Sequence, residues 1–154
     1  MAGKSRNRLD SIRAAHESER RKSSSRAEDY LEVIAELVEY KGYATTLDIS
    51  RHMGVSAPSV TKMLQRLDEN GYLNYEKYRG INLTPKGVRI SGAIRHRHGI
   101  LLEFFEMLGI SHDVASQDTE GIEHHLTPQT IRQLRKFVTF LRSNPRVLDD
   151  FRGP

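Results

Sequence analysis

Between Thr45 and Thr84 the sequence alternates helix-starting and helix-stopping residues with short apolar repeats, and that order leaves few folds open. Thr45 and Asp48 have the spacing of a capping box, in which a hydroxyl and a carboxylate satisfy backbone N–H groups at a helix start. A short helix is expected there, with Leu47, Ile49 and Met53 inward. Gly54-Val55-Ser56 reads as a tight turn. A helix from about Ala57 to Asn70 follows, with Val60, Met63, Leu64 and Leu67 as its apolar stripe and Gly71 as its stop. Ser25 and Glu28 repeat the capping spacing, so an earlier helix is expected to begin near Arg26. It carries Leu31, Ile34, Ala35 and Val38 at helical intervals and ends at Gly42. Tyr72–Lys77 and Ile81–Thr84 are rich in β-formers around Tyr78-Arg79-Gly80, the pattern of a β-hairpin.

Helix, short helix, turn, helix and hairpin is the order of a winged helix-turn-helix, in which the third helix enters the major groove. The outward residues of that helix, Ser56, Pro58, Ser59, Thr61, Lys62, Gln65 and Arg66, suit such a role. Small hydroxyls permit close approach, and long polar side chains reach base edges or phosphates. Lys77, Tyr78 and Arg79 at the hairpin tip suit phosphate contact.

Beyond the hairpin, Thr84-Pro85 is an N-cap followed by a proline at the first helical position. The helix it starts is expected to reach about Leu108, with Ile90, Ile94, Leu101, Phe105 and Leu108 on its apolar face. Gly109-Ile110-Ser111 breaks it. Further helices are expected over His112–Leu126 and from Pro128 to about Leu141. The fold class is therefore mostly α. The organisation read from the sequence is a basic, disordered tail over 1–24, a winged helix-turn-helix over 25–84, a helical domain over 85–142, and a frayed end over 143–154.

Charge is unevenly placed along this plan. Residues 1–24 hold seven Lys/Arg against three acids, which accounts for the whole net charge of +4. Such a tail fits either non-specific phosphate contact or a solubilising leader. Without cysteine there are no disulfides and no thiolate chemistry. No apolar run is long enough for a membrane span, and a cytoplasmic location is expected.

Two acidic patterns point to a cation. Asp29, Glu32 and Glu36 fall within about 60° on the first helix, opposite its apolar stripe; alone, this reads as a solvated face. Val33 and Tyr40 beside them open the possibility of a partner domain. Glu120, Glu123 and His124 converge within about 100° of one another, a crowding that favours a cation between the carboxylates. His98 lies at the edge of the long helix's apolar face, and His125 points away from the convergent face. Carboxylate oxygens with one or two imidazoles and no sulfur suit manganese or ferrous iron, although zinc and copper bind such sites more tightly by intrinsic order.

The chain resembles the diphtheria-toxin-repressor family, and within it the manganese transport regulator subgroup. The resemblance covers about Arg26 to Leu141. It rests on Glu28-Asp-Tyr-Leu-Glu32, Ser59-Val-Thr-Lys-Met63, Tyr75-Glu-Lys-Tyr-Arg-Gly80, Arg97-His98 and Glu120-Gly-Ile-Glu-His-His125. It implies a C-terminal helical domain for metal binding and dimerisation, and a homodimer on a palindromic double-stranded operator. It implies a site for two Mn2+ per subunit at Asp29, Glu32, His98, Glu120, Glu123 and His124, with Fe2+, Cd2+ or Zn2+ as substitutes. Iron-type relatives place methionine at the Asp29 position and cysteine at the Glu120 position, so the carboxylates here imply manganese. Matches to recognition-helix contacts fall on Ser56, Pro58, Ser59, Thr61 and Lys62. Two departures stand out: no SH3-like domain follows the helical one, and the shortest family members lack the basic tail.

The function implied is a metal-responsive repressor of manganese uptake genes, and not an enzyme. An iron-responsive repressor and a winged-helix regulator with a non-metal effector are the alternatives. A metallohydrolase is disfavoured, because no general base stands apart from the proposed ligands.

Overall fold

No glycine or proline interrupts the chain between Lys4 and Lys41, and this whole stretch lies in one helix, α1 (Ala2–Lys41). The computed structural model describes residues 2–77 and 79–153, with the backbone alone for 2–7 and 21. Tyr78 therefore lies outside the described residues. The helix start expected near Arg26 is corrected: the Ser23–Ser25 run is helical, and so is the segment expected to be a disordered tail. Serine is a poor helix former but not a breaker. Asp10/Arg13 and Glu17/Arg20 supply acid-first i,i+3 spacings, and Ser23 is held by a hydrogen bond from Arg66.

Two compact units divide the chain, Met1–Ser91 and Gly92–Pro154. In the first, α1 buries Tyr30, Leu31, Ile34 and Leu37. Its Gly42 ends the helix by donating from its N–H to the Val38 carbonyl at 2.9 Å. The helix α2 (Thr46–Met53) is capped as its sequence predicts. Thr45 Oγ1 accepts from the Asp48 N–H at 3.1 Å, and the Asp48 carboxylate accepts from the Thr45 N–H at 3.2 Å. Lys41 also binds this carboxylate; that bond, followed by the one from Thr45, holds the Asp48 carboxyl down at about 2. Leu47 does not turn inward as expected but is 58% exposed. It stands about 160° round the helix from buried Ile49, because two residues advance the helix by more than half a turn.

Gly54 closes α2 in the left-handed region at φ 64, which glycine adopts without a Cβ penalty. The helix α3 (Ala57–Glu69) then packs Val60, Leu64 and Leu67 inward. Strands β1 (Leu73–Glu76) and β2 (Gly80–Leu83) pair antiparallel, with Leu73 opposite Leu83 and Tyr75 opposite Ile81. Leu73 and Ile81 join the core that α1, α2 and α3 enclose. We expect Thr45→Ala to remove the cap of α2 and cost about 1 kcal/mol in urea unfolding, and Thr45→Ser to restore most of it.

The compact units divide after Ser91, a few residues past the expected 84/85, since the first turns of α4 (Pro85–Met107) pack on the hairpin side. Thr84 Oγ1 accepts from the Gly87 N–H at 3.1 Å and donates to the Gly71 carbonyl at 2.6 Å.

In the second unit the remainder of α4 buries Ile94, Ile100 and Leu101. The helix stops at Met107, and Leu108, expected on its apolar face, is exposed. Next come α5 (His112–Ile122), a 3-10 turn at Glu123–His125, and α6 (Pro128–Ser143). The segment expected to fray instead forms α7 (Pro145–Arg152). Proline at its first position is preorganised for a helix, and Arg152 donates to the Met107 carbonyl at 3.0 Å, capping α4. Among the described residues no helix is long and apolar enough to cross a membrane.

Candidate metal centre and nucleic-acid face

His98, half-buried in the middle of α4, meets the end of α5, where two carboxylates arrive from successive turns. Its Nδ1 lies 2.9 Å from Glu123 Oε2 and 3.5 Å from Glu120 Oε1. Among the described residues, His98, Glu120 and Glu123 form a group whose candidate ligand atoms all lie within 4.8 Å of one another. Glu123 is not in the α-helix expected to run to Leu126. It caps α5 and opens the 3-10 turn, whose tighter winding brings His124 in beside it. His124 Nε2 is 3.4 Å from Glu123 Oε1. His125 is exposed, as its place on the helical wheel predicts.

The electrostatics of this cluster call for a positive charge. Glu123 is fully buried, and burial pushes its carboxyl above the ordinary range. The hydrogen bond and charge of His98 oppose that rise, the Glu120 charge adds to it, and His124 lowers it. Glu123 Oε1 has no hydrogen-bond partner among the described residues. A buried carboxylate oxygen without a donor is costly. A divalent cation among two carboxylates and an imidazole removes that cost, and oxygen and nitrogen donors without sulfur match a hard or borderline ion. The residues therefore fit a metal.

Arg97 stands out in the sequence only as the neighbour of His98, and its reach is not legible there. Its Nη2 lies 3.3 Å from His124 Nδ1. A guanidinium only donates, so His124 Nδ1 accepts here, which leaves Nε2 as the ring nitrogen beside Glu123.

Asp29 and Glu32 belong to the first unit, where both are half-buried on α1; Glu36 on the same face is exposed. Tyr40, expected beside them as a contact residue, is 91% exposed.

In α3, Ser56 caps the helix and its Oγ lies 2.9 Å from Ser59 Oγ. Pro58, Ser59, Lys62, Gln65 and Arg66 are exposed. Thr61, expected with them, is half-buried, because it lies only about 60° round the helix from buried Leu64. In the hairpin, Lys77 and Arg79 are exposed, and Arg79 pairs with Glu76 at 3.3 Å.

A helix-turn-helix with a hairpin wing, carried in one chain with a carboxylate–histidine cluster, defines a class: metal-dependent DNA-binding regulators. Over residues 22–81 the chain matches the N-terminal DNA binding domain of the iron dependent repressors, and over residues 84–152 their metal binding and dimerisation domain. It is 44% identical over 125 residues to the HTH-type transcriptional regulator MntR of Geobacillus kaustophilus (strain HTA426), covering 81% of this chain and 89% of the relative. A manganese-dependent transcriptional repressor in complex with manganese superposes with a TM-score of 0.67 at 27% identity, over 74% of this chain and 53% of that one. ScaR with bound Zn2+ superposes with a TM-score of 0.64 at 28% identity, over 74% and 54%. The chain thus spans about half the length of those two solved chains. It belongs to the iron-dependent repressor family, as the motifs between Glu28 and His125 imply.

Proposed function

We propose that the chain is a manganese-responsive transcriptional repressor that acts as a homodimer on a palindromic operator and represses manganese uptake genes. The observation that carries this reading is the sulfur-free cluster of His98, Glu120 and buried Glu123, which lies in the segment matching the family's metal-binding domain. Relatives named MntR support manganese over iron.

His98, Glu120, Glu123 and His124 would hold the ion, and Asp29 and Glu32 of α1 are the further ligands of the proposed two-ion site. A bound metal would supply positive charge that neutralises these carboxylates. Fe2+, Cd2+ and Zn2+ are chemically able substitutes at such a site. Asp29 and Glu32 then fix α1, and with it the α3 that packs on the same core. Ser56, Pro58, Ser59, Thr61, Lys62, Gln65 and Arg66 meet base edges and phosphates, while Lys77 and Arg79 hold the backbone. Paired recognition helices must stand one DNA turn apart, roughly 34–36 Å. By linkage, DNA tightens metal by the factor with which metal tightens DNA.

Fluorescence anisotropy on a palindromic upstream fragment, first in chelator and then across a manganese titration, tests this. The expected gain in affinity is about 5–150-fold, the usual span of allosteric coupling. Equal binding in chelator and in manganese would sink the metal-sensor reading and leave a winged-helix regulator of another effector.

A further inference from the structure

We propose that the N-terminal half of α1 is a second DNA-contacting surface, which grips the phosphate backbone flanking the segment read by α3. This rests on the DNA-binding reading above and adds a surface to it: residues 2–21 lie before the segment that matches the family's DNA-binding domain.

Three observations converge. The first is continuity. Arg66, exposed in the last turn of α3, donates from Nη1 to Ser23 Oγ at 2.5 Å, so α1 at Ser23 lies within reach of the end of the recognition helix. From Ser23 the helix continues without a break toward its start, and Arg8 lies about 22 Å further along at 1.5 Å per residue. That is the length of roughly six base-pair steps of duplex.

The second observation is which residues share the face of Ser23. At 100° per residue, Arg8, Leu9, Ile12, Arg13, Ala15, His16, Glu19 and Arg20 fall within about 80° of it. Asp10 and Glu17 fall about 120–140° from Ser23, but only about 40–80° from Arg13 and Arg20, as their i,i+3 spacings require. The excess of positive charge therefore belongs to this half of α1 as a whole, seven Lys/Arg against three acids over residues 1–24, and not to an acid-free face. Arg8, Arg13 and Arg20 are all exposed, as is Lys22.

The third is the chemistry of the occupant. Leu9 and Ile12 lie on this face at 63% and 46% exposure, which raises a second copy of the same helix as a rival. Two large apolar residues and one alanine on an eight-residue face are few for helix pairing, and residues 1–24 carry four net positive charges that would oppose each other across such a pair. A polyanion meets the same surface without that conflict. The guanidinium fork suits phosphate oxygens in particular.

The test compares the full chain with its R8Q/R13Q/R20Q variant, both saturated with manganese, on two duplexes. One is the palindromic fragment trimmed to its symmetric core; the other extends it by about ten base pairs of arbitrary sequence on each side, enough to underlie the helix. On the extended duplex, the slope of log K against log salt should be shallower for the variant by about 2.7 per bound subunit. The advantage of the unaltered chain should then shrink about 40-fold per subunit between 50 and 200 mM salt. On the trimmed duplex the two proteins should bind alike.

Equal slopes on the extended duplex overturn the proposal. If in addition L9A/I12A lowers the mass seen in sedimentation, the face pairs with a second copy instead. Failure of the unaltered chain to bind even the trimmed duplex in manganese defeats the DNA-binding reading itself, a different result from equal slopes on DNA that is bound.

Discussion

Glutamine in place of Glu123 is expected to abolish the manganese response of DNA binding while leaving the metal-free protein at least as stable as before. The side chain is fully buried, and its carboxyl is raised first of all by that burial. Glutamine keeps the volume and can still accept from His98 Nδ1, but it brings no charge into the interior. A group whose folded pKa is raised stabilises the fold fully below its unfolded pKa, the ordinary carboxylate value, and that contribution is lost as pH rises through the folded value. In chelator, the urea midpoint of the unaltered protein should therefore fall relative to E123Q as the pH is raised from 5 to 8. Saturating manganese should reverse the order, since only the unaltered site gains the binding energy. Loss of a ligating carboxylate should weaken manganese by at least about 100-fold, the upper end of what the loss of a mere supporting partner costs. Protons compete with a metal for its carboxylate and imidazole ligands, so manganese affinity should rise with pH. Metal affinity within tenfold of the unaltered chain in E123Q, or a urea gap that closes as pH rises, would remove Glu123 from the centre of the site.

The legible parts of this molecule are those whose physics is local. Thr45 with Asp48, Thr84 with Pro85 and Thr127 with Pro128 each start a helix where the pattern says, because a cap needs only residues three apart. Spacing marks Glu120 and Glu123 as convergent, the family resemblance adds His98, and the three lie together. The misreadings arise where a local signal has a second meaning. Ser25 and Glu28 have capping-box spacing, yet both lie inside α1, since without proline or glycine upstream nothing stops the helix from running back to Ala2. Leu47 counts as apolar in composition but sits on the outer side of α2. Tyr30 and Leu37, both buried in the first core, fall outside the stripe expected on α1, which runs through Ala35 and Val38, and these are only half-buried. Arg97 on His124 and Arg66 on Ser23 join residues 27 and 43 positions apart. No periodicity within one element carries information of that kind.

Alanine at Gly87 should destabilise the protein, although alanine is the better helix former and Gly87 lies in the first turn of α4. A Cβ built there falls on the Tyr72 carbonyl oxygen, far inside contact distance, and 3.2 Å from a methyl carbon of Leu83. The oxygen is backbone, so it cannot swing aside as a flexible side chain would. It is also engaged, accepting from the Thr84 N–H at 3.1 Å. Lys86 reinforces the same corner by bonding the Asn70 carbonyl at 2.9 Å and standing 4.4 Å over the Tyr72 ring. Relief must come from shifting the start of α4 away from the end of α3 and the foot of the hairpin, which breaks these contacts together. The cost expected from such overpacking is roughly 1–3 kcal/mol, with the upper end favoured because the obstacle is backbone. Gly92 and Gly99, in the same helix, have nothing within 4 Å of where a Cβ would stand, so alanine there should instead add up to about 1 kcal/mol. Urea unfolding of the three variants separates the effects: a G87A protein as stable as G92A would show that the corner yields without strain. If the corner does hold, G87A should also displace the hairpin that carries Lys77 and Arg79, and so weaken DNA binding at saturating manganese while leaving manganese affinity at the His98 cluster unchanged. That split assigns the Gly87 corner to the DNA-binding unit and the His98 cluster to the metal-binding one.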